Sequence, residues 1–159
     1  MVKAIQIVSL LVILVISSCS TEKQITSTPP IEIAIALQKT PCYGECPVYN
    51  FQILNNNRTT LSVGRITSEE FGLGLKEGDY EGTISNEVIQ EIIQLAEALN
   101  YFKLNTNYDD EKIMDLPAAI SSIEGHRVFN RFEGPNLEDL YSFIESKISD
   151  VQWHSINEN

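Results

Sequence analysis

The sequence is poor in the residues from which most active sites are built. Its 159 residues include two histidines, three cysteines and one tryptophan. No glycine pattern has the spacing of a phosphate-binding loop, and no serine stands in a nucleophile-elbow pattern. Two histidines cannot form a zinc site without other ligands. We therefore assign no catalytic residue, no metal site and no cofactor, and we expect the protein not to be an enzyme.

Basic residues are also scarce. The chain has 11 Lys and Arg against 22 Asp and Glu, which gives a formal net charge of -11. A surface of this charge repels polyanions, so we expect no nucleic-acid partner. Hydrophobic residues make up 43% of the chain, which is enough for the core of one domain.

Only the N-terminus carries a long apolar run. After a short positive start at Lys3, residues 4–16 are almost entirely apolar. A transmembrane helix needs about 20 apolar residues, so this shorter run is typical of a signal peptide. The following Ile16-Ser17-Ser18-Cys19 resembles the lipobox of bacterial lipoproteins, in which the cysteine becomes the first mature residue. This resemblance implies a signal peptide over residues 1–18, and a diacylglyceryl group and an acyl chain such as palmitate on Cys19.

The segment after Cys19 predicts a tether. Residues 19–30 hold almost nothing that could be buried and end in Pro29-Pro30, so we expect a solvated spacer. Two or three acyl chains would hold Cys19 to a membrane essentially permanently. By analogy with lipoprotein sorting, Ser20 in place of Asp favours the outer membrane, on its periplasmic or its surface face. The expected partner is therefore the membrane, through the lipid anchor.

The periodicity of residues 31–153 predicts one α+β domain, followed by a tail at residues 154–159. Period-two alternation indicates strands in several runs, and three asparagines at 55–57 indicate a hairpin turn. A second hairpin is expected around Gly125-His126, with His126 exposed. Amphipathic stripes predict a helix from Ser85 to about Asn100 and another opened by Pro135. We expect a mainly antiparallel sheet of five or six strands with both helices on one face.

Two cysteines remain once Cys19 is lipidated. Cys42 and Cys46 would lie in an oxidising compartment, where a disulfide between them would close a loop of about five residues and stabilise the fold by roughly 2 kcal/mol. Gly44 gives this tight loop conformational freedom, and Pro47 prevents helix before the next strand. A structural disulfide is the favoured interpretation.

Three other interpretations of these and nearby residues remain open. The Cys42/Cys46 pair could be a thiol redox centre, although redox motifs have two intervening residues and open a helix. Cys-x-x-x-Cys-Pro also resembles the motif of Sco-type copper chaperones, which implies a copper site with His126 as third ligand. Finally, the acidic stretch 109–115 could bind calcium through Asp109 and Asp110, although it lacks the spacing of a calcium loop.

A family resemblance covers about residues 31–153. It rests on Thr40-x-Cys42-x-Gly44-x-Cys46-Pro47-x-Tyr49, followed by Tyr80, Tyr108, Asp115-x-Pro117, Pro135 and Trp153. This pattern resembles an uncharacterised domain-of-unknown-function family that includes many lipoproteins of Bacteroidota-type bacteria. The resemblance implies no particular activity. We therefore expect a lipid-anchored cell-envelope protein that acts as a non-enzymatic binding or structural module, with thiol redox or copper handling as the alternative.

Overall fold

The computed structural model describes residues 30–65 and 71–156. The signal peptide, Cys19 and nearly all of the predicted tether lie outside these residues. None of the helices in the described ranges is long and apolar enough to cross a membrane.

Eight strands and two α-helices make up the described fold. In chain order they are β1 (Ile33–Lys39), β2 (Tyr49–Leu54), β3 (Arg58–Val63), β4 (Gly78–Thr83), α1 (Asn86–Ala98), a 3₁₀ helix (Tyr101–Lys103), β5 (Asn107–Tyr108), β6 (Ala119–Ile123), β7 (His126–Asn130), α2 (Glu138–Asp150) and β8 (His154–Ser155).

The strands form one sheet in the order β5-β7-β6-β1-β2-β3-β4-β8. All neighbouring strands are antiparallel except β5 and β7, which run parallel. The prediction of an α+β fold with a mainly antiparallel sheet is confirmed, but the predicted five or six strands are too few. The two strands that were missed, β5 and β8, are edge strands of two residues each, too short to show an alternating pattern.

Both helices contribute to a single core on one face of the sheet. The alternating side chains of β1, β2 and β3, such as Leu37, Phe51 and Leu61, are fully buried there. Ile92 of α1 and Ile144 of α2 belong to the same cluster. The period-two and helical apolar patterns read from the sequence therefore face each other, as two amphipathic layers must in order to exclude water.

Both predicted hairpins form, with one correction to the second. Asn57 in the β2–β3 turn has a φ of 67°, a left-handed conformation that asparagine tolerates. The β6–β7 turn consists of Glu124 and Gly125, at φ 49° and 80°, so that His126 is the first residue of β7. His126 was expected to be exposed, but it is half-buried and its ring packs edge-on against Tyr101, 5.5 Å between centroids.

The last helix and the predicted tail also differ from expectation. Helix α2 begins at Glu138 instead of Pro135, because Asn136 intervenes and its side-chain oxygen accepts a hydrogen bond from the Glu138 backbone N–H at 3.0 Å. His154, expected in a tail, pairs with Glu81 of β4 in the short strand β8.

A buried tyrosine stabilises the contact between the 3₁₀ helix and the sheet. The hydroxyl of Tyr101 donates to Ser121 Oγ at 2.9 Å and lies 3.2 Å from the carbonyl of His126. Burial raises the pKa of Tyr101 to about 12. The phenol therefore stays neutral, because a phenolate at this position would lose its hydration.

The loops beyond one end of the sheet are the ones that carry the sequence motifs. A row of register-paired residues closes the sheet at this end: Asn130, Ala119, Lys39, Tyr49, Val63 and Gly78. Residues 40–48, 64–65, 71–77, 109–118 and 131–137 lie in the connections past this row, and we call them the cystine end. The β6–β7 turn and the β2–β3 turn lie at the opposite end.

Candidate functional site

The most exposed aromatic side chain in the described domain stands in the loop between the two cysteines. The Sγ atoms of Cys42 and Cys46 lie 1.98 Å apart, at disulfide-bonding distance, and their Cα atoms are 5.8 Å apart. Tyr43 lies between them in the connection of residues 40–48, which we call the cystine loop, and is 93% exposed. The loop therefore presents a large amphipathic side chain directly to solvent.

Hydrogen bonds, three of them between backbone groups, hold both ends of this loop. On the first side, the Thr40 N–H donates to the Ala118 carbonyl at 3.0 Å, and the Ala118 N–H donates to Thr40 Oγ1 at 2.7 Å. On the second side, the Val48 N–H donates to the Arg65 carbonyl at 3.2 Å, and the Gly64 N–H donates to the Val48 carbonyl at 2.8 Å. The loop is thus continuous with the β1–β6 and β2–β3 ladders.

Two further contacts act within the loop itself. The guanidinium of Arg65 donates from Nη2 to the Cys42 carbonyl at 2.7 Å. The Gly44 N–H donates to Cys42 Sγ at 3.2 Å. The backbone on either side of Tyr43 is therefore fixed by three features: the Cys42–Cys46 pair, the hydrogen bonds at the ends of the strand ladders and the Arg65 side chain.

A cluster of polar and aromatic side chains lies between the end of the cystine loop and α2. Tyr49, the last residue of the sequence motif, is buried, and its hydroxyl donates to Glu145 of α2. Lys39 Nζ lies 3.4 Å from the same Glu145 carboxylate and 5.2 Å from the centre of the Tyr141 ring. Phe71 packs edge-on against Tyr49, at 5.2 Å between ring centroids. These contacts connect the cystine end to α2.

The neighbouring connection, residues 109–118, which we call the acidic loop, is organised by one arginine. Arg131 Nε pairs with the Asp109 carboxylate. Arg131 Nη2 also donates to the carbonyls of Asp110, at 3.1 Å, and Ile113, at 2.9 Å. The planar guanidinium reaches several acceptors at once, which an ammonium group cannot do in the same geometry. The loop is therefore shaped by an internal cation that pairs with one of its carboxylates, Asp109, and with two of its carbonyls.

The structure does not bring the proposed metal ligands together. His126 begins β7 at the opposite end of the sheet from Cys42 and Cys46, so it does not complete a copper site with them. Asp109 is engaged by Arg131, and the acidic loop has no calcium-type ligand arrangement. Within residues 30–65 and 71–156, no group of three or more His, Cys, Asp or Glu residues is placed to hold a metal ion.

Sequence reasoning missed Arg131, Glu145 and Gly134, although each is needed for the shape of this end. In the sequence, Arg131 and Glu145 look like any other polar residues beside apolar positions. Only the tertiary fold shows which groups they contact. Gly134 has a stronger signal, because Gly134-Pro135 is a typical turn pair that indicates restricted space or an unusual backbone. The distant partners of these side chains leave no trace in local periodicity.

The comparisons with known proteins identify the domain family. A model of the family described as a domain of unknown function, DUF6438, matches residues 33–148. The chain belongs to the DUF6438 family. The match to DUF6438 runs from the start of β1 to Ile148 in α2 and therefore includes the cystine loop and the acidic loop. The comparison with curated proteins found no match, and the comparison with solved structures found none either. Membership of DUF6438 carries no activity with it, so function must be argued from the geometry.

Proposed function

We propose that this protein is a lipid-anchored cell-envelope protein whose DUF6438 domain is a non-enzymatic binding module, and that the cystine end is its contact surface. The observation that carries this proposal is the 93% exposure of Tyr43 within a loop closed by Cys42 and Cys46. Burying an aromatic ring in a partner releases much apolar area from water, and tyrosine is enriched at interfaces for that reason.

The fixed backbone of the loop favours binding over a purely structural role. A loop already held in its bound shape loses little conformational entropy on association, so more of the contact energy appears as affinity. Tyrosine adds to this advantage because it has only two rotatable side-chain angles. A loop that served only to stabilise the fold would have no need to expose Tyr43.

Attachment through Cys19 completes the proposal. The apolar segment 4–16, the lipobox-like Ile16-Ser17-Ser18-Cys19 and the polar residues after it support an envelope location. Ser20 supports the outer membrane as the destination. The chain leads into β1 at Ile33, and the cystine loop follows Lys39, roughly 20 Å further along an extended strand. The proposed contact surface is therefore at the end of the sheet remote from the tether junction.

Removal of the proposed lipid attachment site tests the anchor. Cys19→Ser is expected to abolish acylation of the protein, because the proposed attachment site is gone. The measurement is incorporation of labelled palmitate in cells, with the unchanged protein as the control. Label that persists on the Cys19→Ser protein would contradict the proposal.

A selection of displayed random peptides tests the binding surface. Full-length protein purified in detergent is used as the target, with Tyr43→Ala in parallel. We expect peptides that bind the unchanged protein and lose more than about tenfold in affinity on Tyr43→Ala, since an exposed aromatic anchor carries much of such an interface. Ser142→Ala on the exposed face of α2 is the matched control and should leave binding unchanged. If no selected peptide depends on Tyr43, the binding function is rejected.

Thiol redox chemistry is the second candidate, and one contact favours it. The Gly44 N–H that donates to Cys42 Sγ would stabilise a Cys42 thiolate after reduction. In that reaction a partner dithiol would be oxidised to a disulfide, while the Cys42–Cys46 bond would accept two electrons and two protons. Against this candidate, the cysteine pair is followed by the strand β2, so it does not stand at a helix N-terminus that would stabilise a thiolate.

A further inference from the structure

We infer that the cystine end binds a positively charged, partly apolar segment of another protein. This inference rests on the proposed binding function and adds the chemical class of the partner. It is carried by three features of the same surface: unpaired carboxylates, exposed apolar side chains and their arrangement on two fixed, adjacent loops.

The first feature is an excess of carboxylates that have no partner ion. Acidic side chains at the cystine end, apart from Asp109, are Glu45, Glu77, Asp110, Glu111, Asp115 and Glu133. The cations there, apart from Arg131, are Arg65, Lys76 and Lys112. Among the described residues, none of those six carboxylates lies within 4.0 Å of a cationic side chain.

The charge balance of the cystine end itself is negative. Its described loops hold seven carboxylates, counting Asp109, against four cationic side chains, counting Arg131. Tyr43 is therefore exposed on a surface of net negative charge. Such a surface attracts a partner of opposite sign and speeds its association.

The second feature is apolar. Met114 and Leu116 of the acidic loop are 74% and 39% exposed, and Tyr43 is the most exposed aromatic residue described. A small inorganic cation would leave these side chains in water. A protein segment that carries Lys or Arg beside apolar side chains would cover them, and a guanidinium could also lie over the ring of Tyr43.

The third feature is the arrangement of the loops. Thr40 and Ala118 exchange hydrogen bonds at 3.0 and 2.7 Å, so the Tyr43 loop leaves β1 beside the point where the acidic loop joins β6. The cystine fixes one loop and Arg131 fixes the other. A partner segment can therefore contact both loops at little entropic cost.

Other occupants fit this surface less well. A second copy of the chain would bring the same negative loops together across a two-fold axis, and this repulsion opposes association. Nucleic acids and anionic lipids or glycans are repelled for the same reason. A cationic protein segment satisfies both the charge and the apolar exposure.

The test uses the displayed random peptides with two matched sets of substitutions. One variant neutralises the cystine end with Glu111→Gln, Asp115→Asn and Glu133→Gln. The control variant removes three charges elsewhere with Glu32→Gln, Glu97→Gln and Glu124→Gln. We expect the selected peptides to be enriched in Lys and Arg. Their affinity should fall about tenfold or more with the first variant and with added salt, and should change less than about threefold with the second.

The outcomes separate the partner class from the binding function. Peptides that depend on Tyr43 but show no enrichment in Lys and Arg would overturn the inference and leave the binding function in place. Loss of Tyr43 dependence would remove the binding function itself. Self-association of the full-length protein that Tyr43→Ala abolishes, measured by sedimentation, would identify a second copy as the occupant and overturn the inference. Unchanged melting temperatures of the variants exclude misfolding as the cause.

Discussion

Gly134→Ala should destabilise the domain by roughly 3 kcal/mol. A Cβ at this position would overlap the side-chain oxygen of Asn130 and lie 2.8 Å from Asn130 Cγ and 3.0 Å from Tyr108 Cβ. Overpacking of this kind costs about 1–3 kcal/mol. The destabilisation comes from the lack of space for a Cβ at Gly134, and not from an unfavourable backbone conformation as at positive-φ glycines.

The displaced side chain adds to the cost. Asn130 Nδ2 donates to the Pro135 carbonyl at 3.0 Å and lies 3.4 Å from the Tyr141 hydroxyl. Moving the amide would break at least the first hydrogen bond, worth about 1 kcal/mol net, and would disturb the turn that leads into α2. The substitution therefore acts on both the cystine end and the helix behind it.

Urea denaturation of Gly134→Ala measures this effect, with Gly44→Ala as the control. A Cβ on Gly44 would meet Cys42 Sγ at 3.7 Å, an ordinary contact, so Gly44→Ala should leave stability unchanged or raise it slightly. Equal stabilities for the two variants would show that the close approach at Gly134 is not real.

Arg131→Ala is the second substitution with a large expected effect, and it should lower the free energy of unfolding by about 2–3 kcal/mol. The guanidinium is largely buried, and its loss would leave the Asp109 carboxylate and the carbonyls of Asp110 and Ile113 without their donor. Hydrogen bonds from a charged donor contribute more than neutral ones, and the part-buried carbonyls of Asp110 and Ile113 would incur a desolvation cost if left unpaired. Arg131→Lys should recover only part of the loss, because one ammonium cannot replace the fork.

Hydrogen exchange combined with urea denaturation tests this expectation. Amides of residues 109–116 should exchange faster in Arg131→Ala. The affinity for the selected peptides should also fall, because the acidic loop would be less ordered. Arg127→Ala, which removes an exposed arginine from the adjoining strand β7, should change neither quantity. The organising role of Arg131 would be refuted if both variants matched the unchanged protein.

Local patterns were sufficient to predict the main elements of the fold. The alternation in β1 to β3, the asparagine turn at 55–57 and the stripes of both helices depend on residues close in sequence. The close approach of Cys42 and Cys46 was also predictable, because four residues of separation leave few alternatives. Strands β5 and β8 were not predictable, since two residues cannot show a period and their pairing is decided by tertiary contacts.

The same distinction applies to the candidate site. Tyr43 could be placed in the cystine loop from the sequence, but its exposure could not. Calcium binding by the acidic loop was an open alternative in the sequence, whereas in the structure Arg131 from the next loop pairs with Asp109. His126 was predicted to be exposed as a residue of the hairpin turn, whereas the turn lies one residue earlier and the histidine ring packs against Tyr101.

A free-thiol count at graded redox potentials tests the central claim, that the Cys42–Cys46 bond is a structural closure for the Tyr43 loop. The Cys19→Ser protein is used so that only these two thiols are counted, with and without Cu(I). We predict that the bond stays closed down to about -300 mV or lower, where structural disulfides lie. A bond that opens well above that range, or a reduced form that takes up copper stoichiometrically, would contradict the binding-module account and favour a working thiol site.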